Sequence, residues 1–483
     1  MPGVKTTHPD YDKFSPKWKR VRDCINGQDA IRGAAEVYLP RLKNESAEDY
    51  KARLMRSDFF NGTWRTIAGL GGMAFRKAPT VDVPATIEPY LEDVTMAGVS
   101  MNSLAKDALD EVLGPGRFGI LVDHPSAPDN VTPLSVAAAQ ARGLRPMLQP
   151  YCAESIINWR FGRVANAWVL TMVVLKESAD ISTEEFEAKS EDRYRVLDLT
   201  PGGQYRQRMF RREKDHDEQI GGDIYPLMNG KPLSFVPFFI IGPDGKGDQI
   251  DEPPLLDLVD SNIALFQINA DYRHGLHFTG LPTPVVSGYQ PESASETLTI
   301  GSTTAWVFPD PQAKAMYLEF TGQGLTELRA AILAKQQEMA MLGARMIADE
   351  TSHARETLGA TQIKRQGENG VLSRIAQAVS EGLEAALDVF AQWAGAPGDV
   401  VFQINRDFQP TLVDAPTLTA LTASLQAGAI SPQEFFDLLQ RGDVVEADMT
   451  FEQHQAQIDA NAPPAPAKPV QSTPDPQASS QAA

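Results

Sequence analysis

The sequence predicts an α+β fold, because helical patterning and strand patterning occupy separate parts of the chain. Apolar residues recur at helical spacing up to Leu113, short apolar runs separated by polar turns fill residues 147–241, and long amphipathic patterns return after Pro254. The chain has 483 residues, which exceeds the length at which one hydrophobic core stops growing. We therefore expect two or more packed regions.

The N-terminal part of the chain predicts peripheral helices. Residues 1–60 are polar and rich in helix formers, with scattered apolar anchors such as Trp18. From Asp49 to Phe75 the apolar spacing predicts a single helix, which ends in a glycine turn at residues 69–72.

A helix with defined ends is predicted for residues 101–113. Ser100 or Asn102 can serve as its N-cap, and the sequence Gly114-Pro115-Gly116 stops it. The apolar run from Phe118 to Val122 follows directly and predicts a buried strand.

Residues 147–241 predict a β-rich region. Strand-like apolar runs are separated there by polar turns, and they read SIINW (155–159), WVLTMVVL (168–175), YRVL (194–197) and FFII (238–241).

Two long helices that bracket a small β insertion are predicted after Pro254. One face of the first helix, which ends near Gly275, carries Leu255, Val259, Ile263, Phe266 and Ala270. Residues 281–320 predict strands and turns. Heptad-like spacing in the second helix places on one stripe Leu325, Leu328, Ile332, Met339, Leu342 and Met346.

The remaining chain predicts a loop, a third long helix and a small helical region. Residues 348–361 contain almost no large apolar side chain, so we expect a mobile loop. Residues 362–393 predict an amphipathic helix, and residues 411–440 predict two short helices, the second capped by Ser431. The tail after Ala460 is rich in Pro, Ala, Gln and Ser and is expected to be disordered.

Composition limits the classes of function. Lys plus Arg number 44 against 63 Asp plus Glu, a net charge of −19, which disfavours a protein that grips nucleic acid by neutralising phosphates. The acidic charge does not exclude DNA as a passenger, because a negatively charged channel wall repels phosphates and lets a duplex pass without binding it. Cys24 and Cys152 are the only cysteines, so a disulfide framework is not expected and a reducing cytoplasm suits the chain. With no long apolar run, we expect a soluble protein.

Motifs that carry enzymatic chemistry are weak in this sequence. Residues 242–247 lack the four-residue spacer and the hydroxyl residue of a phosphate loop, and Gly69–Gly72 follow a helix where a dinucleotide fingerprint needs a strand. Asp271, His274 and His277 have metal-ligand spacing on a helix, but no second helix carries matching ligands. We therefore predict a non-enzyme with no catalytic residue, no cofactor and no metal.

Two short basic runs are candidate anion sites. Lys17, Lys19, Arg20 and Arg22 form the first, and Arg208, Arg211, Arg212 and Lys214 form the second. Acidic residues flank both runs, which favours a solvated face or a subunit contact over DNA recognition.

Five segments in order resemble tailed-bacteriophage portal proteins, in particular a subfamily formerly described as a domain of unknown function. They are HPDYDKFSPKWKRVRDCINGQDAIR (8–32), YKARLMRSDFFNGTWRTIAGLGGMAFRKAP (50–79), LGPGRFGILVDHP (113–125), PPLLDLVDSNIALFQINADYRHGLHFTGLPTPVVSG (253–288) and ETLGATQIKRQGENGVLSRIAQAVSEGLEAAL (356–387). The resemblance extends over about residues 8–455. Each motif is a packing pattern, and the order of the five is the stronger signal.

The resemblance implies a portal fold. Its parts are a wing at 1–252, a first stem helix at 254–276, a β-containing clip at 281–322, a second stem helix at 323–346, a tunnel loop at 347–361, a long returning wing helix at 362–394, a helical crown at 411–455 and a disordered tail at 461–483.

The resemblance also implies a function and partners. A portal forms the ring at one capsid vertex through which double-stranded DNA is packaged and ejected, and it has no catalytic residue. The implied partners are further copies of the chain in a homo-oligomeric ring, taken as a dodecamer, the terminase large subunit, the major capsid and scaffold proteins, and head-tail adaptor or tail proteins. The implied location is the virion, after assembly in the host cytoplasm, with no membrane.

Particular residues receive roles from this assignment. Packing between stem subunits is expected of Leu255, Val259, Ile263, Leu325, Leu328, Ile332 and Leu342. Transient DNA contact by the tunnel loop is expected of Asp349, Glu350, His353, Arg355 and Glu356. A polar channel face can be drawn from Asp257, Asp260, Asp271, Lys335 and Gln337. Two alternatives stay open: another head-tail connector or minor head protein, which is usually shorter, and an α/β enzyme with an unrecognised motif.

Overall fold

The computed structural model describes residues 3–125, 144–213, 216–245, 247–280, 283–288, 308, 310–318, 323–345, 370–406, 408, 415–442, 444–445 and 449–461. The chain divides into two compact units, Met1–Phe408 and Gln409–Ala483. Helices and sheets are both present, so the α+β class predicted from the sequence is confirmed. No helix among the described residues is long and apolar enough to cross a membrane.

The first unit begins with five helices. They are α1 (Pro9–Asn26), α2 (Gln28–Ala34), α3 (Ala47–Arg56), α4 (Gly62–Ala74) and α5 (Met101–Leu113). The predicted ends of α5 are confirmed, since the Ser100 side chain accepts a hydrogen bond from the Ser103 N–H and Gly114 is the C-cap.

The single helix predicted for residues 49–75 is wrong. The chain breaks between α3 and α4, and the glycines expected to end the helix lie inside α4. Gly71 has a packing reason for its position, because a Cβ there would lie 2.9 Å from Asp110 Oδ1 on α5. A residue without a side chain lets the two helices approach this closely.

Strands form two main sheets. The strand β1 is Thr80–Asp82, and the next three are β2 (Phe118–Asp123), β3 (Met147–Cys152) and β4 (Ile156–Val164). They are followed by β5 (Ala167–Asp180), β6 (Ser190–Leu199), β7 (Tyr205–Glu213), β8 (His216–Ile224), β9 (Leu227–Met228), β10 (Lys231–Pro232) and β11 (Phe238–Ile241). One antiparallel sheet has the order β11-β2-β3, and an antiparallel meander runs from β4 through β8.

These sheets confirm the predicted β-rich region and extend it. The predicted buried strand is β2, all of whose residues are buried. The strands β7 and β8 were not predicted, because they have no apolar pattern in the sequence. Charged side chains that pair across the two strands stabilise them instead. Arg211 Nε lies 2.8 Å from Glu218 Oε2, and Arg212 Nη1 lies 2.8 Å from Asp217 Oδ1. Opposite charges on facing strands stabilise such a sheet modestly.

Three long helices and three short strands complete the first unit. They are α6 (Leu256–Gly280), β12 (Thr283–Ser287), β13 (Lys314–Leu318), α7 (Gln323–Arg345), α8 (Val371–Trp393) and β14 (Val401–Gln403), which pairs with β1. The predicted apolar stripe of α8 is confirmed, because its buried residues include Leu372, Ile375, Val379, Leu383, Ala386, Phe390 and Trp393. This helix lies in the main core against α5, β2 and β11.

The second unit contains three helices in its described part. They are α9 (Ala415–Gln426), α10 (Pro432–Arg441) and α11 (Phe451–Asn461). The predicted start of α10 is confirmed, since Ser431 and Glu434 form a reciprocal capping box with Pro432 at the first helical position.

Candidate assembly site

The two helices predicted for residues 254–276 and 323–346 pack side by side as α6 and α7. Ser261 Oγ donates a hydrogen bond to Glu338 Oε1 at 3.1 Å, near the start of α6 and the end of α7. At the other end a Cβ at Gly275 would lie 2.7 Å from Leu325 Cδ2. Contacts at these two places can be made together only if the helices are antiparallel. The glycine permits their close approach.

A β-hairpin is inserted between these helices. The strands β12 and β13 pair antiparallel, from Thr283 opposite Leu318 to Ser287 opposite Lys314. Val285, Met316 and Tyr317 on the hairpin are exposed. The predicted β insertion between two long helices is thus present in the described residues.

The buried amide of Asn262 fastens α6 to the start of α4. Its Oδ1 accepts hydrogen bonds from the N–H groups of Gly62 (3.2 Å) and Thr63 (3.1 Å) and from the Thr63 hydroxyl (3.1 Å). Its Nδ2 donates to the carbonyl of Phe60 at 2.8 Å. Because the first N–H groups of a helix have no partner within the helix, Asn262 caps α4 from 200 residues away.

The side of α6 that faces away from α7 is apolar and packs on the N-terminal helices. Val259, Phe266 and Ala270 belong to a buried cluster whose other members come from α1 to α3 and the residues that follow them, among them Val21, Ile31, Tyr38, Tyr50 and Leu54. The helix α6 is therefore a middle layer, with α1 and α3 on one side and α7 on the other.

This arrangement corrects part of the predicted subunit interface. Leu255 and Val259 are buried within this chain, so neither offers a surface to another subunit. Ile263 packs on the N-terminal cluster, and Ile332 and Leu342 pack on the main core, all three only partly buried. Leu325 and Leu328 are also partly buried. A role in subunit packing stays a prediction for these five residues.

The acidic residues expected on the channel face are largely engaged elsewhere. Asp260 Oδ1 lies 2.8 Å from Arg20 Nη1 on α1, and Asp271 Oδ1 lies 3.7 Å from Arg53 Nη1 on α3. Lys335 forms an ion pair with Glu338 at 2.8 Å on its own helix. Asp257 is exposed and remains available for a polar face, whereas Gln337 is exposed on the outer side of α7, next to Leu333 and Met341.

The basic runs are neutralised by neighbouring carboxylates. Lys17 pairs with Glu252, Lys19 with Asp23 at 2.7 Å, and Arg22 with Glu154 at 2.8 Å and with Glu111. Hydrogen bonds from Arg22 hold the pKa of Glu154 below its usual value, against the desolvation that raises it. In the second run Arg208 Nη2 lies 2.9 Å from Asp198 Oδ2. These pairings lie within the chain and favour a structural role for both runs, and the predicted solvated face or subunit contact stays a prediction.

The candidate metal residues on α6 do not form a metal site. No group of three or more His, Cys, Asp or Glu side chains is placed to hold a metal ion in the described ranges. Desolvation and the positive charge of Arg53 lower the pKa of His274, which favours its neutral form near pH 7.

Several predicted features lie outside the described residues. They are the whole tunnel loop with Asp349, Glu350, His353, Arg355 and Glu356, residues 362–369 of the third helix, Lys214 and Lys246 of the polar motifs, and the tail from 462 onwards. The turn at Gly242 is described up to Gly245, whose N–H donates to the Gly242 carbonyl at 3.2 Å.

An exposed face of α7 was not predicted from the sequence. Leu333 and Met341 are 52% and 58% exposed, although the sequence pattern drew attention to the opposite, inward stripe. The signal was present in the sequence as a second stripe without charge, formed by Thr326, Ala330, Leu333, Ala334, Gln337, Ala340 and Met341.

Part of this chain matches a protein family, and the chain has low-identity structural similarity to proteins of gene transfer agent particles. Residues 254–394, less than a third of the chain, match a family described as a domain of unknown function (DUF4055), and they contain α6, the hairpin, α7 and α8. The search of curated proteins found no match. A chain from the neck of a native gene transfer agent particle with C12 symmetry is 13% identical, with a TM-score of 0.37 over 78% of this chain and 89% of that one. A chain from the virion of a native gene transfer agent is 12% identical, with a TM-score of 0.36 over 85% of this chain and 98% of that one.

Proposed function

We propose that this chain is the portal subunit of a tailed bacteriophage. As a homo-oligomeric ring at one capsid vertex, it passes double-stranded DNA during packaging and ejection. The observation that carries the proposal is the antiparallel pair of α6 and α7 with a β-hairpin inserted between them. This pair is followed along the chain by the long core helix α8. The order of these elements is the order that the resemblance to portal proteins implies for the stem, the clip and the returning helix.

The proposed partners follow from this role. The ring docks the terminase large subunit during packaging and head-tail adaptor or tail proteins afterwards, and it is built into the head with capsid and scaffold proteins. We assign no catalytic residue to the chain, since the terminase supplies the ATP hydrolysis in this scheme. The acidic net charge of −19 is compatible with DNA that slides through a channel without being held.

Negative-stain electron microscopy of the purified full chain tests the proposal directly. We expect closed rings with a central hole, and mass photometry should give one dominant mass that is a whole multiple of 52.7 kDa. Monomers at all concentrations would refute the portal. A ring that binds no terminase but joins preformed tails would support the alternative of another head-tail connector.

Assays for ATPase and nuclease activity test the absence of catalysis. We expect no turnover above buffer in ring fractions with Mg²⁺ present. If turnover co-migrates with the ring and disappears in Lys246→Ala or in His274→Ala/His277→Ala, the chain is an enzyme and the proposed role is wrong.

A further inference from the structure

We infer that neighbouring subunits associate front to back, with the outer face of α7 on one copy packed against the outer side of α3 and of the segment between α2 and α3 on the next. The inference deepens the proposed ring function and rests on it, because it names the surfaces that join the copies. We call the first surface the front face, defined by Leu333, Gln337 and Met341. The second is the back face, defined by Val37, Leu42 and Met55.

The front face has the composition of a covered surface. Thr326, Ala330, Leu333, Ala334, Gln337, Ala340 and Met341 lie on this side of α7, and all seven are exposed in the lone chain and uncharged, while the exposed Glu327 and Arg329 lie at its two edges. A helix that faces water normally places charged or polar residues on its outer side, whereas a helix that is apolar all round is buried. The inner side of α7 is also apolar, with Met339 buried in the main core. The outward side of α7 therefore lacks the charged residues that a helix facing water normally carries there, and the exposed charges of Glu327 and Arg329 are confined to its edges.

The back face lies on the far side of α6 from the front face. Val37, Leu42 and Met55 are 71%, 47% and 59% exposed. Tyr50 and Leu54 of α3 point into the cluster shared with α6, and Met55 follows about 100° further round the helix, on the outer side. Since α6 is the middle layer, the two apolar faces look in opposite directions.

Opposed faces determine the type of assembly. A contact between unlike faces is heterologous, and its repetition gives a closed ring or an open filament, while a contact between two front faces would stop at a dimer. The front face itself contains no Lys or Arg, and the two exposed charges at its edges, Glu327 and Arg329, are opposite in sign, so it is not a surface for DNA phosphates. A second copy of this chain is the occupant that both faces fit.

The front face is about as large as the apolar core of a protein–protein interface, without its polar rim. The stretch of α7 that carries it, the 16 residues from Thr326 to Met341, spans about 24 Å at 1.5 Å per residue, and one side of a helix is about 10 Å wide. The resulting area of roughly 240 Å² is smaller than the 800 Å² that each partner buries in a standard interface. Charged residues around Met55, such as Lys51 and Arg56, supply the polar rim that surrounds such a centre.

Cross-linking of variants with one accessible cysteine tests the inference. Met341→Cys and Met55→Cys are each made in a chain with Cys152→Ser, while the buried Cys24 is kept. A short bis-maleimide linker is used, because a direct disulfide requires Cα atoms within about 7 Å. We expect cross-linked dimers only when the two variants are mixed, and a ladder of oligomers when both cysteines are on one chain. Phe186→Cys, at an exposed hairpin tip, is the matched control and should give no product with either.

The outcomes separate the inference from the proposed ring. Dimers from Met341→Cys alone would show a front-to-front contact and overturn the inference. Rings by electron microscopy without cross-linking in the mixture would also overturn it, and the portal proposal would stand. Absence of both rings and cross-links would overturn both proposals. Leu333→Cys with Val37→Cys is a second pair, for use if either methionine variant fails to fold, and the same pattern is expected from it.

Discussion

At the residue scale, the Asn262 side chain stabilises the junction between α6 and α4. We expect Asn262→Ala to lower the free energy of unfolding by about 2–3 kcal/mol, because the buried N–H groups of Gly62 and Thr63 lose their acceptor and the Phe60 carbonyl loses its donor. Urea unfolding followed by tryptophan fluorescence measures this difference.

Two variants make the Asn262 prediction specific. Asn262→Asp keeps the acceptor but loses the donor, so an intermediate loss of stability is expected. Asn269→Ala removes one hydrogen bond, to the Asp58 N–H at 3.2 Å in a half-buried position, and should cost less than about 1 kcal/mol. Equal effects of Asn262→Ala and Asn269→Ala would contradict the capping role.

A second prediction at this scale concerns pH. Burial of Asp110 against α4 raises the pKa of its carboxyl to about 6, and the negative charges of Asp107 and Glu111 add to the effect. Because the folded chain holds this proton more tightly than the unfolded chain, the ionised carboxylate lowers stability as the pH rises from about 4 to 6, and the cost persists above that range.

Asp110→Asn should therefore stabilise the protein at pH 7.5, by about 1 kcal/mol after allowance for partial exposure, and should have no effect near pH 4. Thermal unfolding at the two pH values tests this, with the exposed Asp82→Asn as control. Stabilisation of the same size at both pH values would mean that the effect does not come from ionisation.

At the element scale, the hairpin of β12 and β13 is expected to be separable from the helix pair that carries it. The contact between Gly275 and Leu325 brings the adjoining ends of α6 and α7 together, so a short Gly-Ser linker can replace residues 281–322. We expect the melting temperature to change by no more than about 2 °C.

The matched variant for this prediction is Gly275→Val. Its Cβ would meet Leu325 Cδ2 at 2.7 Å and force the helices apart, so a clear fall in melting temperature is expected. If removal of the hairpin destabilises the chain as much as Gly275→Val does, the hairpin is part of the folding unit.

Elements with local signals were predictable from the sequence, and elements that depend on distant contacts were not. The ends of α5 follow from Ser100 and Gly114 beside the helix, and β2 follows from one apolar run. The start of α4 has a local N-cap in Asn61, whose side chain accepts from the Trp64 N–H, but the N–H groups of Gly62 and Thr63 depend on Asn262, and the glycine inside α4 depends on Asp110, both distant in sequence.

The same distinction holds for the candidate site. The helix pair and its β insertion were predictable because their apolar spacing is regular along the chain. The side of each helix that is left exposed was not predictable, because the rotation of a helix about its axis is set by packing. Leu255 and Val259 follow the predicted stripe but lie inside the chain, whereas Leu333 and Met341 lie outside it.

At the scale of the whole molecule, the segment 348–361, which the sequence predicts to be a loop, can be separated experimentally from ring assembly. Deletion of residues 350–357 removes no large apolar side chain, so we expect rings to form as before while DNA packaging or retention in assembled heads declines. The charges there are mixed, which favours transient contact with phosphates. Loss of rings would identify the segment as an interface, and unchanged packaging and retention would remove it from the channel.

The position of α8 has a consequence for how the chain is made. Its buried stripe completes the core formed by α5, β2 and β11, and a Cβ at Gly382 would lie 2.5 Å from Ile241 Cγ1 on β11. At about 5–20 residues per second, translation reaches Trp393 roughly 10–30 s after Ile241. Throughout that interval the nascent chain exposes the apolar surface that α8 will cover. Lower growth temperature or extra chaperone during expression should therefore raise the yield of soluble subunits more than any change to the C-terminal tail.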